Sequence, residues 1–250
     1  MRFQLYSDIH LEFSKIYPKI PNCAPYLFLA GDIGRVCDKN YRDFIQYCSE
    51  NWEKVIVILG NHEFYHKTTT YSQLLEKYRV FFSLHSNVHL LEKEEIMLED
   101  YRILGCTMWS YIEPRYGSIV NCTRKIKKQI IDNHGEKRTV GIGIDFNNEL
   151  HNVSKQWLLD TYDPTYKTII ITHHPITQEH VSQERWKHEP ISRKTTFCSE
   201  FNLSCGENNT VVCISGHTHY SHDYMRNNVR YISNQMGYIN EVKMDVTGYN

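Results

Sequence analysis

The hydrophobic segments of this chain are short and are separated by polar breaks. Runs rich in β-branched residues predict strands at 2–7, 26–30, 54–59, 88–92, 101–109, 167–172, 210–215, 229–234 and 241–246. Apolar residues at helical spacing predict helices at 38–52, 69–83, 121–133 and 149–161. Strands and helices alternate early and strands dominate late, which favours a mixed α/β (α+β) fold over a doubly wound parallel sheet.

The length predicts one domain that spans residues 1–250. Two stretches inside it, 110–148 and 176–208, lack a clear hydrophobic period. Long loops without a period are uncommon in compact domains unless they serve function. We therefore expect both stretches to be excursions over the edge of the sheet that carries the active site.

Charge and cysteine usage restrict the compartment and the partners. Lys and Arg total 28 against 29 Asp and Glu, so no overall field draws the chain to nucleic acid or to anionic lipid. The N-terminus enters a strand pattern without the apolar core of a secretory signal, and the apolar runs are too short to span a membrane. The eight cysteines include no C-x-x-C pair and fit reduced buried thiols. We expect a soluble cytoplasmic protein without membrane contact, and the oligomeric state stays open.

Five of the hydrophobic runs end in small groups of Asp, Asn or His residues. When strands end along one edge of a sheet, the side chains that follow them collect at that edge. The sequence therefore predicts that ligands far apart in the chain converge on a metal site. The five groups are Asp8 with His10, Asp32, Asn61 with His62, His173 with His174, and His217 with His219.

Two neighbouring divalent cations repel each other and require a bridging carboxylate or hydroxide between them. We assign Asp32 as that bridge. Asp8 and His10 lie two residues apart in a segment predicted to be extended, which would point both side chains to the same side. His217 and His219 would repeat that geometry at another strand end.

The donor set mixes nitrogen and oxygen atoms without a thiolate. Asn61 would supply an amide oxygen and His173 another imidazole. This mixture suits Mn, Fe, Zn, Co or Ni, among which we favour manganese. Two dications less two carboxylates leave about two positive charges, which attract a phosphate oxygen and acidify bound water. The chemistry points to phosphoester hydrolysis.

The five groups also carry a family resemblance. D-x-H, G-D, G-N-H-[DE], a later strand-terminal His and G-H-x-H occur in this order between residues 8 and 219, followed by an Asn-x-x-Gly-Tyr segment at Asn234–Tyr238. The chain thus resembles the small bacterial-type members of the calcineurin-like metallophosphoesterase superfamily. The resemblance implies a four-layer αββα sandwich of two mixed β-sheets flanked by helices, with a dinuclear metal site at the strand ends.

The resemblance also implies individual roles. His62 would be the catalytic residue that contacts the phosphoryl oxygen, and it would either protonate the leaving group or stabilise developing charge. In the pair of adjacent histidines the first would be the ligand, with His174 in reserve. The metal ligands implied are Asp8, His10 and His219 for the first ion and Asn61, His173 and His217 for the second, with Asp32 shared.

One departure from the family pattern bears on the substrate. Protein Ser/Thr phosphatases of this superfamily continue Gly-Asp with x-Val-Asp-Arg-Gly, whereas Asp32 is followed here by Ile33-Gly34-Arg35. The acidic residue that would polarise His62 is missing at that place. This difference argues against a protein phosphatase.

The favoured function is a metal-dependent phosphohydrolase in which a metal-activated hydroxide cleaves a phosphomonoester or phosphodiester of a small or nucleotide-like molecule. A nuclease is an alternative because of the basic run Arg124–Lys128, although its spacing fits one solvated helix face better. A non-catalytic interaction module, as in the retromer subunit of the superfamily, is another. Candidate substrate contacts in the two excursions are Tyr111, Arg115, Arg185, Trp186 and Arg193.

Overall fold

A computed structural model describes residues 1–116, 120–183, 188, 194–201, 211–243 and 247–249. Three short 3-10 turns lie at Leu11–Phe13, His62–Phe64 and Pro114–Tyr116. The described helices are α1 (Lys39–Asn51), α2 (Tyr71–Phe82), α3 (Cys122–Lys125), α4 (Gly143–Thr161) and α5 (Ile239–Lys243). The described strands are β1 (Phe3–Tyr6), β2 (Tyr26–Ala30), β3 (Lys54–Ile58), β4 (Val88–Leu90), β5 (Glu94–Leu98), β6 (Tyr101–Cys106), β7 (Lys127–Ile131), β8 (Lys137–Gly141), β9 (Thr168–Thr172), β10 (Val211–Ile214), β11 (His222–Arg226) and β12 (Val229–Ser233).

Two sheets hold most of the strands. The first sheet has the order β1-β2-β3-β4, and every pair in it is parallel. The second has the order β11-β12-β10-β9-β6-β5, with four parallel central strands and an antiparallel strand at each edge. A small antiparallel hairpin of β7 and β8 stands apart from both sheets.

Alternation along the strands builds three layers of core. In β2, Leu27 and Leu29 pack toward α1 and α2, while Phe28 and Ala30 point to the opposite face. That opposite face meets Ile169 and Ile171 of β9 in the second sheet. The far face of the second sheet packs against α4, notably through Leu158. Helices, first sheet, second sheet and helix therefore form four layers, and the predicted αββα sandwich is confirmed, except that the first sheet is wholly parallel rather than mixed.

Two helix predictions require correction. The segment 121–133 is not one helix, because α3 ends at Lys125 and β7 begins at Lys127. Gly135 has a φ of 78° in the turn that follows β7, where the Asp132 carboxylate accepts two backbone N–H bonds. The β-branched pair Ile130-Ile131 thus belongs to a hairpin, and the basic run is not a helix face. The helix predicted at 149–161 begins earlier, at Gly143.

The strands that the sequence missed are those with little burial. β5 and β11 form the two edges of the second sheet, and β7 and β8 form the hairpin. The edge strands β5 and β11 are partly exposed to solvent, so they do not need the apolar residues by which a buried strand is recognised. The strand predicted at 241–246 is wrong in its first part, because α5 covers residues 239–243, and residues 244–246 lie outside the described part of the chain.

The first excursion, 110–148, carries secondary structure of its own, namely α3, the β7–β8 hairpin and the start of α4. Much of the second, 176–208, falls outside the described residues. The cysteines that the structure describes form no disulfide, and five of them are buried. Among the described helices, we find none with both the length and the apolar character needed to cross a lipid bilayer.

Candidate metal centre

The predicted ligands lie at the carboxyl ends of parallel strands in both sheets. Asp8, Asp32 and Asn61 follow β1, β2 and β3 of the first sheet, while His173 and His217 follow β9 and β10 of the second. Backbone bonds continue the strand pairing beyond the strand ends, since Asp8 N donates to Gly31 O and Gly216 N donates to His173 O, each at 2.9 Å. Strand ends that are held this way bring both groups of side chains to one edge.

The backbone at these positions is left-handed rather than extended. The φ angles are 55° at Asp8, 53° at His10, 53° at Asp32, 75° at His217 and 52° at His219. The sequence prediction of an extended D-x-H segment, and of the same geometry at G-H-x-H, is therefore wrong. A left-handed residue other than glycine costs about 1–2 kcal/mol, and such strain clusters at functional sites.

The first group of donors surrounds His10. Its Nε2 lies 2.9 Å from His219 Nε2, and His219 Nε2 lies 3.5 Å from Asp8 Oδ1. One donor atom from each of the three residues falls within 4.8 Å of the others, and all three are buried. The trio predicted around the first ion is thus brought together in the fold.

The second group surrounds Asp32, whose side chain is buried. Asp32 Oδ2 lies 3.4 Å from His173 Nε2 and 4.0 Å from His10 Nε2. Asn61 Oδ1 lies 3.1 Å from His173 Nε2, and His217 belongs to the same cluster of donor atoms as Asp32 and His173. Asp32 therefore stands between the two groups, where the sequence assigned the bridge.

His174 lies beside the cluster rather than inside it. Its Nδ1 is 3.4 Å from the carbonyl of Thr107, and its ring centroid is 4.0 Å from that of His217. Burial together with the neighbouring His173 lowers the pKa of His174 to about 3. The donor-atom cluster includes His173, the residue first chosen from the sequence.

Hydrogen bonds orient the imidazole rings so that Nε2 faces the centre. His173 Nδ1 lies 2.9 Å from the carbonyl of Ala30, and His219 Nδ1 lies 2.6 Å from Glu241 Oε2. Carbonyl and carboxylate oxygens only accept, so each Nδ1 carries a proton and Nε2 is the atom that can exchange its proton for a metal ion. Asn61 Nδ2 donates to the Tyr65 hydroxyl at 2.7 Å, which turns Oδ1 toward His173.

This arrangement fits a cation between the rings. His10 Nδ1 also faces a carboxylate, Glu12 Oε1, at 3.1 Å. With both Nδ1 protons donated outward, the Nε2 lone pairs of His10 and His219 face each other at 2.9 Å. Two lone pairs at this separation repel unless a proton or a metal ion lies between them. The described residues thus contain candidate His and Asp clusters suited to divalent metal.

The pKa shifts indicate that the carboxylates of this site stabilise positive charge on the neighbouring imidazole rings. Burial would raise the pKa of Asp32, but His173, His62 and His10 around it hold that pKa well below its usual range. Burial opposes the protonation of His219, yet Asp8 and Glu241 raise the pKa of His219 to about 10. Asp32 similarly overcomes burial and raises the pKa of His173 to about 9. Metal ions that bind here must displace these protons.

Glu63, the last residue of the G-N-H-E block, braces the loops of the first sheet. It is buried, and its carboxylate accepts N–H bonds from the backbone of Asp32, Ile33, Gly34 and Gly60 at 2.8–3.3 Å. One side chain thus ties the loop after β2 to the loop after β3. The neighbouring Asp32 Oδ1 in turn accepts from His62 N at 2.8 Å.

The glycine that follows β10 of the second sheet, Gly216, is explained by its close approach to the first sheet. A Cβ at Gly216 would lie 2.6 Å from Asp8 Oδ2 and 2.9 Å from the carbonyl of Ala30. The next residue, His217, donates its backbone N–H to the Asp8 carboxylate at 3.0–3.1 Å. The glycine of G-H-x-H therefore allows the loop after β10 to rest on the ends of β1 and β2.

His62 belongs to a further group of close donor atoms, which it forms with His10 and Asp32, and its side chain is buried. Its Nδ1 faces Glu12 Oε1 at 2.7 Å, and its Nε2 faces the Tyr238 hydroxyl at 3.3 Å. The ring of Tyr238 also packs 4.6 Å from the rings of both His10 and His219. The tail segment predicted from Asn-x-x-Gly-Tyr thus covers one side of the site.

A cavity of about 380 Å³ opens from the clusters. Tyr111 is exposed beside His151, and Arg115 pairs with Glu113 at 2.9 Å, and neither is among the lining residues. The other three candidate contacts, Arg185, Trp186 and Arg193, lie outside the described residues. Side chains that line the cavity include Asp32, His62, Tyr65, Asn121, Lys194, Phe197, His217 and Tyr238.

Sequence reasoning missed the residues that support the clusters. Glu63 ends the G-N-H-E block and Glu12 lies just after the D-x-H block, so their positions near the predicted ligands were an available signal. Glu241 and Gln235 carried no such signal. Gln235 accepts the backbone N–H of His219 at 2.6 Å, a contact that depends on how the tail folds back.

Comparisons with known proteins agree with this geometry. The family model described as calcineurin-like phosphoesterase matches residues 1–221. The uncharacterized protein L509 of Acanthamoeba polyphaga mimivirus is 30% identical over 263 residues, which cover 94% of this chain and 90% of that protein. The crystal structure of phosphopantetheinyl hydrolase (PptH) from Mycobacterium tuberculosis shares the fold with a TM-score of 0.64 at 14% identity, over 97% of this chain and 91% of that one. The expected family is confirmed, and the chain belongs to the calcineurin-like phosphoesterases.

Proposed function

We propose that the chain is a metal-dependent phosphohydrolase that uses two divalent cations held by Asp8, His10, Asp32, Asn61, His173, His217 and His219. The observation that carries the proposal is the orientation of the rings. Each imidazole with an anchored Nδ1 turns Nε2 toward the shared Asp32 or toward the Asp8 carboxylate. Such a set binds metal and has little use as a purely structural hydrogen-bond network.

Bound cations would supply Lewis-acid polarisation of a phosphoryl oxygen and acidify a water molecule. The protein residues do the remaining work. Asp8 and Asp32 keep their negative charge in the buried site because imidazoles surround them. Asp32 Oδ1 accepts from the backbone N–H of His62, and the His62 side chain lines the cavity beside Tyr238, where a leaving group would meet it. We assign His62 as the catalytic residue that stabilises or protonates that group.

The substrate we propose is a phosphomonoester or phosphodiester of a small or nucleotide-like molecule, and we favour manganese as the metal. The cavity beside the clusters is large enough for a compound of that size. Its lining combines Lys194 and Asn121 with the rings of Tyr65 and Phe197. A cation and an amide can bind phosphate or hydroxyl groups, while the rings can stack on an apolar or planar group.

The direct test is turnover by metal-loaded protein. Purified chain freed of metal and reloaded separately with Mn²⁺, Fe²⁺, Zn²⁺, Co²⁺ or Ni²⁺ should hydrolyse p-nitrophenyl phosphate or bis(p-nitrophenyl) phosphate. Asp32→Ala should lower turnover and metal content together, and His62→Ala should reduce turnover with metal retained. The matched control is Asp43→Asn, an exposed carboxylate paired with Lys39. If no metal gives turnover above that of the two alanine variants, a non-catalytic interaction module becomes the better account.

A nuclease is the second candidate, and the hairpin is the observation that favours it. The basic run begins in α3, whose first residue lines the cavity, and continues into β7. Its positive charges therefore extend from the cavity into the first strand of the hairpin. Lys125 Nζ lies 4.9 Å from the ring centroid of Tyr65, which lines the cavity. Cleavage of single-stranded DNA or RNA that falls in the Lys127→Gln, Lys128→Gln double variant but not in Lys39→Gln would support it. Equal cleavage by all three proteins would remove the hairpin from consideration.

A further inference from the structure

One buried carboxylate contacts both a candidate metal ligand and the candidate catalytic histidine. Glu12 lies in the 3-10 turn directly after the D-x-H block. Its Oε1 faces His62 Nδ1 at 2.7 Å and His10 Nδ1 at 3.1 Å. None of its side-chain surface is exposed. A single oxygen atom therefore accepts from two rings that are expected to do different work.

The second oxygen of Glu12 makes this arrangement costly. Oε2 is buried and has no hydrogen-bond partner among the described residues, and a buried acceptor left unsatisfied destabilises the folded state. Glu63, another buried glutamate at this edge, uses both oxygens on backbone N–H groups and so stabilises the loops. The hydrogen bonds of Glu12 among the described residues are those with the two imidazoles, so backbone bracing does not explain its position.

The contacts determine how each ring carries its proton. A carboxylate accepts, so both rings donate from Nδ1 and present a bare Nε2. For His10 that Nε2 faces His219 and Asp32 in the metal clusters. For His62 it faces the Tyr238 hydroxyl, which can donate to it at 3.3 Å. The two hydrogen bonds that link Glu12, His62 and Tyr238 therefore fit a neutral His62 ring only in its Nδ1–H tautomer.

We propose that Glu12 is a positioning residue that holds His62 and His10 in the Nδ1–H tautomer, so that one carboxylate aims the catalytic ring and a metal-binding ring together. This inference rests on the function proposed above. It supplies from the loop after β1 the acidic partner that Ile33-Gly34-Arg35 lacks after β2. Because both rings share Oε1, a displacement of Glu12 would misplace the metal ligand and the catalytic group at once.

The test reads the tautomers directly in metal-free protein. Protein labelled with ¹⁵N in histidine reports the protonated nitrogen of each ring through long-range ¹H–¹⁵N correlation, at a pH at which the rings are neutral. We expect Nδ1–H for His62 and His10 in the parent chain. Glu12→Leu keeps most of the side-chain volume but removes the acceptor oxygens, and Glu12→Ala removes the volume as well. In either variant His62 should shift to a mixture of tautomers that is rich in Nε2–H. Unchanged tautomers in both variants would overturn the proposal.

The second readout separates positioning from folding. With saturating Mn²⁺, Glu12→Leu should lower kcat by about 10–100-fold while KM changes by less than about 3-fold, and metal affinity should also fall by about 10–100-fold. The matched control is Glu92→Gln. Glu92 is a buried carboxylate that belongs to none of the donor clusters, and it accepts from Thr107 N and from Thr107 Oγ1, each at 2.9 Å. This substitution should lower the melting temperature and leave both tautomers unchanged.

The two readouts fail independently. If tautomers shift but no ester is cleaved by the parent chain, the proposed function is wrong while Glu12 still orients the rings. If the parent chain is active and the Glu12 variants keep the parental tautomers and kcat, the positioning role is wrong while the hydrolase assignment stands.

Discussion

The two sheets contribute unlike halves to the proposed metal centre. The first sheet supplies Asp8, His10, Asp32 and Asn61, so it brings both carboxylates and the amide. The ligands from the second sheet are His173, His217 and His219, which are all imidazoles. The negative charge that attracts cations thus sits on one sheet, and most of the neutral nitrogen donors sit on the other. Neither half offers a complete site for two ions.

The halves are also supported in different ways. Glu63 braces the first by accepting backbone N–H groups, so it fixes loop shape. The second is supported through its rings, since Ala30 O and Glu241 hold the Nδ1 atoms of His173 and His219. Because Ala30 belongs to β2, the first sheet orients a ligand of the second. The difference teaches that packing of the sheets, rather than either sheet alone, completes the site.

Substitution of the residue shared by both halves should have the largest effect. Asp32→Ala removes the carboxylate that faces His10 and His173. We expect bound metal to fall from two ions to at most one and turnover to fall by more than about 100-fold. Metal content by mass spectrometry and ester hydrolysis measure both. Two ions bound at parental affinity would show that the halves do not meet at Asp32.

Loss of the brace in the first half should affect stability more than metal chemistry. In Glu63→Gln, an amide NH₂ would face backbone N–H donors, because each oxygen of Glu63 now accepts two of them. We expect a loss of about 2–4 kcal/mol in the free energy of unfolding of the metal-free protein, measured by urea titration. Glu95→Gln, at an exposed pair with Arg102, should change it by less than about 0.5 kcal/mol. Equal effects of the two would refute the brace.

The seam between the halves is tested at Gly216. Gly216→Ala places a methyl group against Asp8 and Ala30 of the first sheet. Overpacking should cost about 1–3 kcal/mol, and metal affinity should fall by about 10-fold because Asp8 must move. Isothermal titration with Mn²⁺ checks the affinity. Gly143→Ala, in open space at a φ of 70°, should cost about 1 kcal/mol through backbone strain while metal affinity stays parental.

The smallest effect is expected at the edge of the second sheet. Burial lowers the pKa of His222 to about 4, below the ordinary value of about 6.5. The folded state therefore binds fewer protons than the unfolded state, and stability falls as the pH drops from about 6.5 to 4. In His222→Gln, the free energy of unfolding should fall by about 1–2 kcal/mol less than in the parent over this pH range, allowing for partial solvent screening. Urea unfolding at pH 7 and pH 4.5 measures it, and a loss identical to the parent's would contradict it.

The central elements were predictable because their burial is written in the sequence. Strands β2, β3, β9 and β10 are apolar on both faces, since each lies between two layers of core. Their polar ends then marked the ligands. β5 and β11 escaped prediction because an edge strand buries little and needs no apolar alternation. Strand β7 lies inside the predicted helix 121–133, because two turns of apolar spacing in that segment outweigh the turn at Gly135.

The sequence by itself determined the family, the core strands and a set of candidate donor residues, because local hydrophobic pattern and motif order require no knowledge of distant contacts. Only the tertiary structure decided how the donors are aimed. The left-handed backbone at Asp8 and His217, and the anchoring of the rings by Glu12 and Glu241, depend on loops from both sheets pressing together. Residues 209 positions apart in the chain, such as His10 and His219, come into contact through that packing.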